Sequence, residues 1–215
     1  HRALEARRPV GSLVKPAVYL SGLQKGYNLA TPLRDEPLTL RNQGGQTWRP
    51  QNYDKGYRRQ VPFYQAMGES LNLPTVRLGM DVGLGKVVET LRARGVTQPI
   101  QEFPSLLLGT VALSPLEVNQ MYLTLASEGL YQPLTTVRAV LGSDNQILYQ
   151  KDVKAERRLD ARASYLTLFT MTKVASQGTA RSLAARFPGA VLAGKTGTSD
   201  SLRDSWLSGL CNVQL

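Results

Sequence analysis

Ser12 and Lys15 stand three residues apart in Gly11-Ser12-Leu13-Val14-Lys15-Pro16, at the start of an apolar stretch that reads as a helix. At that spacing one helical face presents both side chains. A serine hydroxyl is a weak nucleophile until a base takes its proton. A lysine can be that base if burial or a second cation removes its own proton. The other familiar base is disfavoured, because the sole histidine is the terminal His1. Two further patterns follow in order, Ser70-Leu71-Asn72 and Lys195-Thr196-Gly197-Thr198. Lys195 could supply the second cation. Thr196 and Thr198 add hydroxyls, and Gly197 allows close backbone approach, on the strand-like run that starts at Ala190. A cation beside a strand edge suits a carboxylate-bearing peptide docked as an extra strand. Each pattern alone also has an ordinary explanation: Ser12 as a helix cap, Ser70 as a turn residue, Lys195 as a lysine near a glycine turn.

The elements that must position these residues are read from periodicity and punctuation. Residues 12–23 read as a helix, with Ser12 suited to its N-terminus and Pro16 in the first turn. Residues 24–60 are rich in Gly, Pro, Asn and Gln and read as loop, with one apolar stretch at Leu38-Thr39-Leu40. Helices are predicted over 61–71, 75–82, 86–94 (stopped by Gly95) and 115–127 (opened by Ser114-Pro115, closed by Gly129). Residues 136–141 and 146–151 alternate around Ser143-Asp144-Asn145, which predicts a hairpin. A long helix over 161–176 is taken as the central one, followed by a short helix over 180–185. Strands over 191–198 and 205–210 are joined through Asp200-Ser201. Tyr64, Tyr122, Tyr165 and Phe169 are expected in the core, Trp206 beneath the site, and Glu102 and Glu117 in structural roles. Arg203 and Asp204 receive no role.

Composition excludes several classes. The 215 residues can bury a sizeable core, and 42% hydrophobic with 20% charged residues is ordinary for a globular domain. No apolar run approaches the roughly 18–20 residues needed to span a bilayer. Cys211 is the only cysteine, so a disulfide framework and a cysteine-ligated zinc site are excluded, and neither a metal nor a cofactor is expected. The net charge of +10 raises nucleic-acid binding. The basic residues are scattered without aromatic interleaving, so a solvated basic face is preferred and no nucleic-acid partner is expected.

The three patterns in this order resemble the Ser-x-x-Lys, Ser-x-Asn, Lys-Thr-Gly set of penicillin-binding proteins and serine β-lactamases. The flanks extend the resemblance to the transpeptidase domain of class A (bifunctional) penicillin-binding proteins. They are residues 1–16 around Ser12, Thr47-Trp48-Arg49-Pro50-Gln51-Asn52-Tyr53, Ser70 through Val76, Gly109 through Tyr122, and Gln177-Gly178-Thr179-Ala180. The likeness runs from residue 1 to about 209. Trp48 through Asn52, with no long insertion before Ser70, is similar to the 1B type. The resemblance implies an α/β (α+β) fold, helix-rich, with an antiparallel sheet. In that fold two strands precede the nucleophile helix and one follows the Trp206 strand. The chain is therefore expected to be a partial domain over 1–215, a fragment with a truncated sheet.

The resemblance also implies roles. Ser12 is the nucleophile, Lys15 the base, Ser70 a proton relay, and Asn72 a holder of substrate and Lys15. Lys195, Thr196, Gly197 and Thr198 bind substrate, with an oxyanion hole at the backbone of Ser12 and Thr198. The implied activity is D,D-transpeptidation of peptidoglycan stem peptides: a D-Ala-D-Ala donor, an amine acceptor, and β-lactams as inhibitors. Other cell-wall synthesis proteins remain open as partners. The implied place is the periplasmic face of the bacterial cell membrane, reached through N-terminal parts outside this chain. The alternatives are a D,D-carboxypeptidase, a serine β-lactamase, a non-catalytic penicillin-binding sensor and an inactive truncated fragment. A class A β-lactamase would need a deacylating carboxylate, and Glu102-Phe103-Pro104-Ser105 departs from its usual sequence.

Overall fold

Residues 15–22 are buried without interruption, from Lys15 through Gly22. A helix that is enclosed all round belongs at the centre of a domain, and this one, α2 (Lys15–Lys25), is the axis of the molecule. A 3-10 turn, Gly11–Val14, leads into it. Pro16 sits in its first turn, where a missing N–H costs nothing. Gly26 ends it with φ +113 and an N–H bonded back to Leu23 O at 3.1 Å. The buried hydroxyls of α2 are partnered: Tyr19 with Thr75 at 3.1 Å, and Ser21 with Thr90 at 2.7 Å.

The computed structural model describes residues 1–41, 45–198 and 205–211. Around α2 lie α3 (Phe63–Gly68), α4 (Asn72–Val82), α5 (Leu84–Ala93) and α7 (Ala161–Ser176). Tyr19 meets Phe63 edge-on, with ring centroids 4.8 Å apart. The other α-helices among the described residues are α1 (Arg2–Glu5), α6 (Pro115–Ala126) and α8 (Arg181–Arg186). The longest strand pair is β11 (Leu192–Thr198) with β12 (Ser205–Cys211), antiparallel, in a register that sets Lys195 opposite Ser208 and Gly197 opposite Trp206. The other antiparallel pairs are short: β1 (Arg8–Pro9) with β6 (Ala112–Leu113), and β2 (Pro32–Asp35) with β5 (Arg59–Pro62). β3 (Leu40–Arg41) pairs with β4 (Thr47–Trp48), β7 (Leu130–Tyr131) with β10 (Glu156–Arg157), and β8 (Ala139–Leu141) with β9 (Ile147–Gln150).

Several expectations are corrected. The central helix is α2; α7 has the predicted bounds but buries one face, at Ala163, Ser164, Thr167, Leu168, Met171 and Val174. Tyr165 on that helix and Tyr64 are solvent-exposed, whereas Tyr122 is in the core. The helix read over 61–71 is shorter, because β5 runs to Pro62 and the chain turns at Ser70. α4 begins at Asn72, three residues before the expected start, since Pro74 falls in its first turn rather than breaking it. The segment 24–60 is not only loop but carries short strands: β2 pairs with β5, more than 20 residues on, while β3 and β4 pair with each other. The Asp200-Ser201 turn, Arg203 and Asp204 lie outside the described residues.

α6 shows how local chemistry fixes a boundary. Ser114 Oγ accepts from the Glu117 N–H at 3.3 Å, and the Glu117 carboxylate accepts from the Ser114 N–H at 2.8 Å, a closed capping box with Pro115 next in line. Ser114→Ala should therefore cost about 1 kcal/mol of unfolding free energy, read as a lower urea midpoint at unchanged slope. An unchanged midpoint would show that the box contributes nothing to stability.

Candidate active site

The turn that carries Ser12 is seated against the end of β11 by backbone contact. A Cβ at Gly11, whose φ is +54, would come within 2.4 Å of Thr198 O. A Cβ at Gly197 would come within 2.6 Å of Val10 O. Only glycine lets the two segments approach so closely. Leu13 and Val14 are buried beneath the turn. Two long-range bonds pin it: Tyr122 OH donates to Leu13 O at 3.1 Å, and Trp206 Nε1 donates to Pro9 O at 3.1 Å. Ser12 is not a cap. Residue Val10 holds the cap position and makes no side-chain cap. Ser12 instead lines a cleft of about 460 Å³ with Ser70, Asn72, Thr196 and Thr198.

Lys15 lies one turn further on, fully buried, with its amine against three oxygens. Its Nζ is 2.6 Å from Ser70 O, 2.7 Å from Asn72 Oδ1 and 3.1 Å from Ser70 Oγ. Two of these atoms are carbonyl oxygens that can only accept. A neutral amine can give them its two N–H groups and keep a lone pair for a hydroxyl proton. Burial, and after it the Lys195 charge, hold the Lys15 pKa well below the ordinary lysine value.

Lys195 enters from β11, also fully buried. It donates to Ser70 Oγ at 2.8 Å and to Thr196 O at 2.9 Å. Burial lowers its pKa to about 7. Ser70 Oγ is thus the atom that both lysines share. It is held there by a backbone with φ +55, the left-handed region that costs a non-glycine residue about 1–3 kcal/mol and tends to mark functional sites. Asn72 gives its Nδ2 to Gln51 O at 2.7 Å while its Oδ1 faces Lys15. Thr179 and Thr196 hydroxyls are 2.8 Å apart at the cleft edge.

The structure therefore brings Ser12, Lys15, Ser70, Asn72, Lys195, Thr196 and Thr198 to one place, with Gly197 as the close-approach point. Residues that the sequence reading gave no role also line the cleft, notably Asn52, Tyr53, Asp54, Arg58, Glu69 and Thr179. Asn52, Tyr53 and Thr179 fall in the flanks quoted for the resemblance, which was their only signal. Glu102 is exposed and does not line the cleft. Glu117 has the structural role expected of it. A separate depression of about 480 Å³ lies at the other end of α2, lined by Ser21, Lys25, Lys86, Thr90 and Arg158. Among the described residues no group of acidic, histidine or cysteine side chains could hold a metal.

A helix-rich domain whose serine turn and second-motif serine meet a Lys-Thr-Gly strand is a penicillin-recognising serine fold, and comparison places the chain within it. The chain belongs to the penicillin binding protein transpeptidase domain family, which matches residues 1–205. Penicillin-binding protein 1B of Vibrio cholerae serotype O1 is 46% identical over 213 residues, covering 98% of this chain and 27% of that protein. Penicillin-binding protein 1B of Escherichia coli K12 is 45% identical over 215 residues, covering 98% of this chain and 26% of that protein. The chain thus spans about a quarter of the length of these relatives. Penicillin-binding protein 1A from Haemophilus influenzae superposes with a TM-score of 0.90 at 21% identity, over 97% of this chain and 37% of that one. Penicillin-binding protein A from M. tuberculosis, solved as an imipenem acyl-enzyme complex, gives 0.83 at 22%, over 98% and 53%. These neighbours establish the fold as α/β of the penicillin-binding transpeptidase type.

The buried amines also bear on stability. The folded-state pKa of Lys195 lies near 7, against an ordinary 10.5. Between those values the unfolded chain binds the proton that the folded chain has lost, so stability rises with pH across that window. Lys195→Met should be more stable than the parent at about pH 6, with the advantage shrinking towards about pH 10. Paired urea midpoints across that range check the sign. A constant offset would mean that Lys195 is charged in the folded state throughout.

Proposed function

We propose that this chain carries the acyl-transfer site of a D,D-transpeptidase that cross-links peptidoglycan stem peptides. The observation that carries the reading is the sharing of Ser70 Oγ by two buried lysine amines, beside the cleft that Ser12 lines. Lys15 is the base. Burial, with the Lys195 charge after it, lowers its pKa and so favours the neutral amine that a base requires, one helical turn from Ser12. Ser12 Oγ attacks the carbonyl carbon of the penultimate D-Ala, and its proton goes to Lys15. The backbone N–H groups of Ser12 and Thr198 receive the oxyanion. Ser70 relays the proton to the departing nitrogen, the C–N bond breaks, and D-Ala leaves an acyl ester on Ser12. An amine of a second stem then attacks the ester, forms the new amide and returns the proton to Ser12. Thr196, Thr198 and the β11 edge hold the extended donor, with the Lys195 side nearest its terminal carboxylate.

A β-lactam enters by the same attack and stays as an ester. The M. tuberculosis neighbour solved as an imipenem acyl-enzyme supports this by analogy. The cleft disfavours the lactamase reading. Among the described residues its lining carboxylates, Asp54 and Glu69, both pair with Arg58, at 3.0 and 3.1 Å, so neither is a free base for a hydrolytic water. The place of work follows from the substrate, which lies at the periplasmic face of the cell membrane. Among the described residues no helix is long and apolar enough to cross a membrane.

The test is labelling of the full-length protein with a fluorescent penicillin, followed by peptide mass mapping. The adduct should sit on Ser12 and vanish in Ser12→Ala. Lys15→Ala should slow acylation by about 10²–10⁴-fold, as expected for loss of a positioned base. With a D-Ala-D-Ala-terminated stem peptide and an amine acceptor, a cross-linked product is expected. Release of D-Ala by hydrolysis alone would favour the carboxypeptidase, and an adduct on Ser70 would overturn the assignment of the nucleophile.

A further inference from the structure

We infer that Asn52 is a positioning residue for acylation: its buried amide caps α4 from a distance and so seats Gln51 O where it fixes which way the Asn72 amide faces. This rests on the reading above, that Lys15 and Asn72 belong to the acylating site. A helix start leaves N–H groups without partners. At α4 the local cap position, Leu71, has no side-chain acceptor to offer. Asn52, 20 residues earlier, supplies it: its Oδ1 accepts from Asn72 N at 2.8 Å and from Leu73 N at 3.1 Å.

The orientation of the Asn52 amide is set by chemistry. Its Nδ2 donates to Asp35 Oδ1 at 2.7 Å and to Gly56 O at 2.9 Å, and neither of these can donate in return. Both N–H groups and both lone pairs of Asn52 are thereby used. Asp35 is fully buried, and its second oxygen accepts from Arg58 N at 2.9 Å. The residue before Asn52 completes the device. Gln51 O takes the Nδ2 of Asn72, which turns the Asn72 Oδ1 towards Lys15 Nζ. A flipped Asn72 would set N–H against the lysine N–H groups and remove one of the two acceptors that leave the Lys15 lone pair free. One line of partners therefore runs from the Asp35 carboxylate through Asn52 and the start of α4 to the base.

The single variants damage different links. Asn52→Ala strands Asp35, Gly56 O and two helix N–H groups. Asn52→Asp keeps an acceptor for the helix but sets a carboxylate against both Asp35 and Gly56 O. Combining Asn52→Asp with Asp35→Asn restores a donor facing an acceptor between positions 35 and 52, though not the bond to Gly56 O, and the charge then sits at a helix N-terminus, where it is favoured. The measurement is the acylation rate constant of the full-length protein with fluorescent penicillin, separated from the non-covalent dissociation constant. It is expressed per molecule able to label at completion, so that unfolded protein does not count. Asn52→Ala and Asn52→Asp should lower the rate constant by about 10²-fold with the dissociation constant nearly unchanged, since a misplaced reacting group can cost that much. The exchange should recover about tenfold or more over Asn52→Asp alone. If Asn52→Ala does not fold, the exchange and the near-isosteric Asp35→Asn decide the matter. Rate constants within about twofold of the parent, or an exchange no better than Asn52→Asp, would overturn the proposal. Ser12→Ala and Lys15→Ala in the same assay keep the two readings apart. If they label normally the acylating site itself is wrong, whereas if they fail and the Asn52 variants do not, only the positioning role falls.

Discussion

Two lysine amines buried around one serine hydroxyl are the constraint on which this structure depends. Lys15 and Lys195 are both fully buried, and both reach Ser70 Oγ. Taking an ammonium out of water costs several kcal/mol, and two such charges side by side repel. The fold accommodates them by giving each amine oxygen acceptors, and burial shifts both pKa values below the ordinary lysine value. That arrangement does not add stability. It makes both amines give up their protons more readily than an exposed lysine does.

The rest of the domain keeps the two amines and the serines in register. Enclosure of α2 desolvates Lys15 and prevents it from reaching water. The strand β11 brings Lys195 in from another part of the chain, and the glycines at 11 and 197 let its end touch the serine turn. Tyr122 and Trp206 tie the same turn to α6 and β12. The strained backbone at Ser70 aims its hydroxyl between the lysines, and the packed helices α3 and α4 on either side hold that strain. Preorganisation of this kind places the charges before the substrate arrives, so no reorganisation is needed during reaction.

The cleft rim has a different character. Arg58 gathers Asp35, Asp54 and Glu69, at 3.6, 3.0 and 3.1 Å. Those carboxylates are engaged in ion pairs, which leaves the lysines and hydroxyls as the reactive groups. Among the described residues lining the cleft, both carboxylates, Asp54 and Glu69, are thus paired with Arg58.

What the sequence determined by itself is local. The Ser114-Pro115 start of α6 and the span of α7 could be read from adjacent residues, because caps and helical periodicity act over three or four positions. So could the pairing of residues 139–141 with 147–150, although its apolar residues lie exposed rather than packed. The residue types at 12, 15, 70, 72 and 195 and their order carried the family resemblance. Tertiary structure decided the remainder. Nothing adjacent to Lys15 or Lys195 says that either is buried, and a pKa is a property of the surroundings rather than of the residue. Ser12 reads as a cap until Val10 takes that position, and Leu71 leaves a helix start unpaired until Asn52 arrives from 20 residues away. Within residues 24–60, β2 forms only because the distant β5 meets it. Desolvation, like-charge proximity and long-range hydrogen bonds depend on what the fold brings together, and neighbouring residues in a sequence do not encode it.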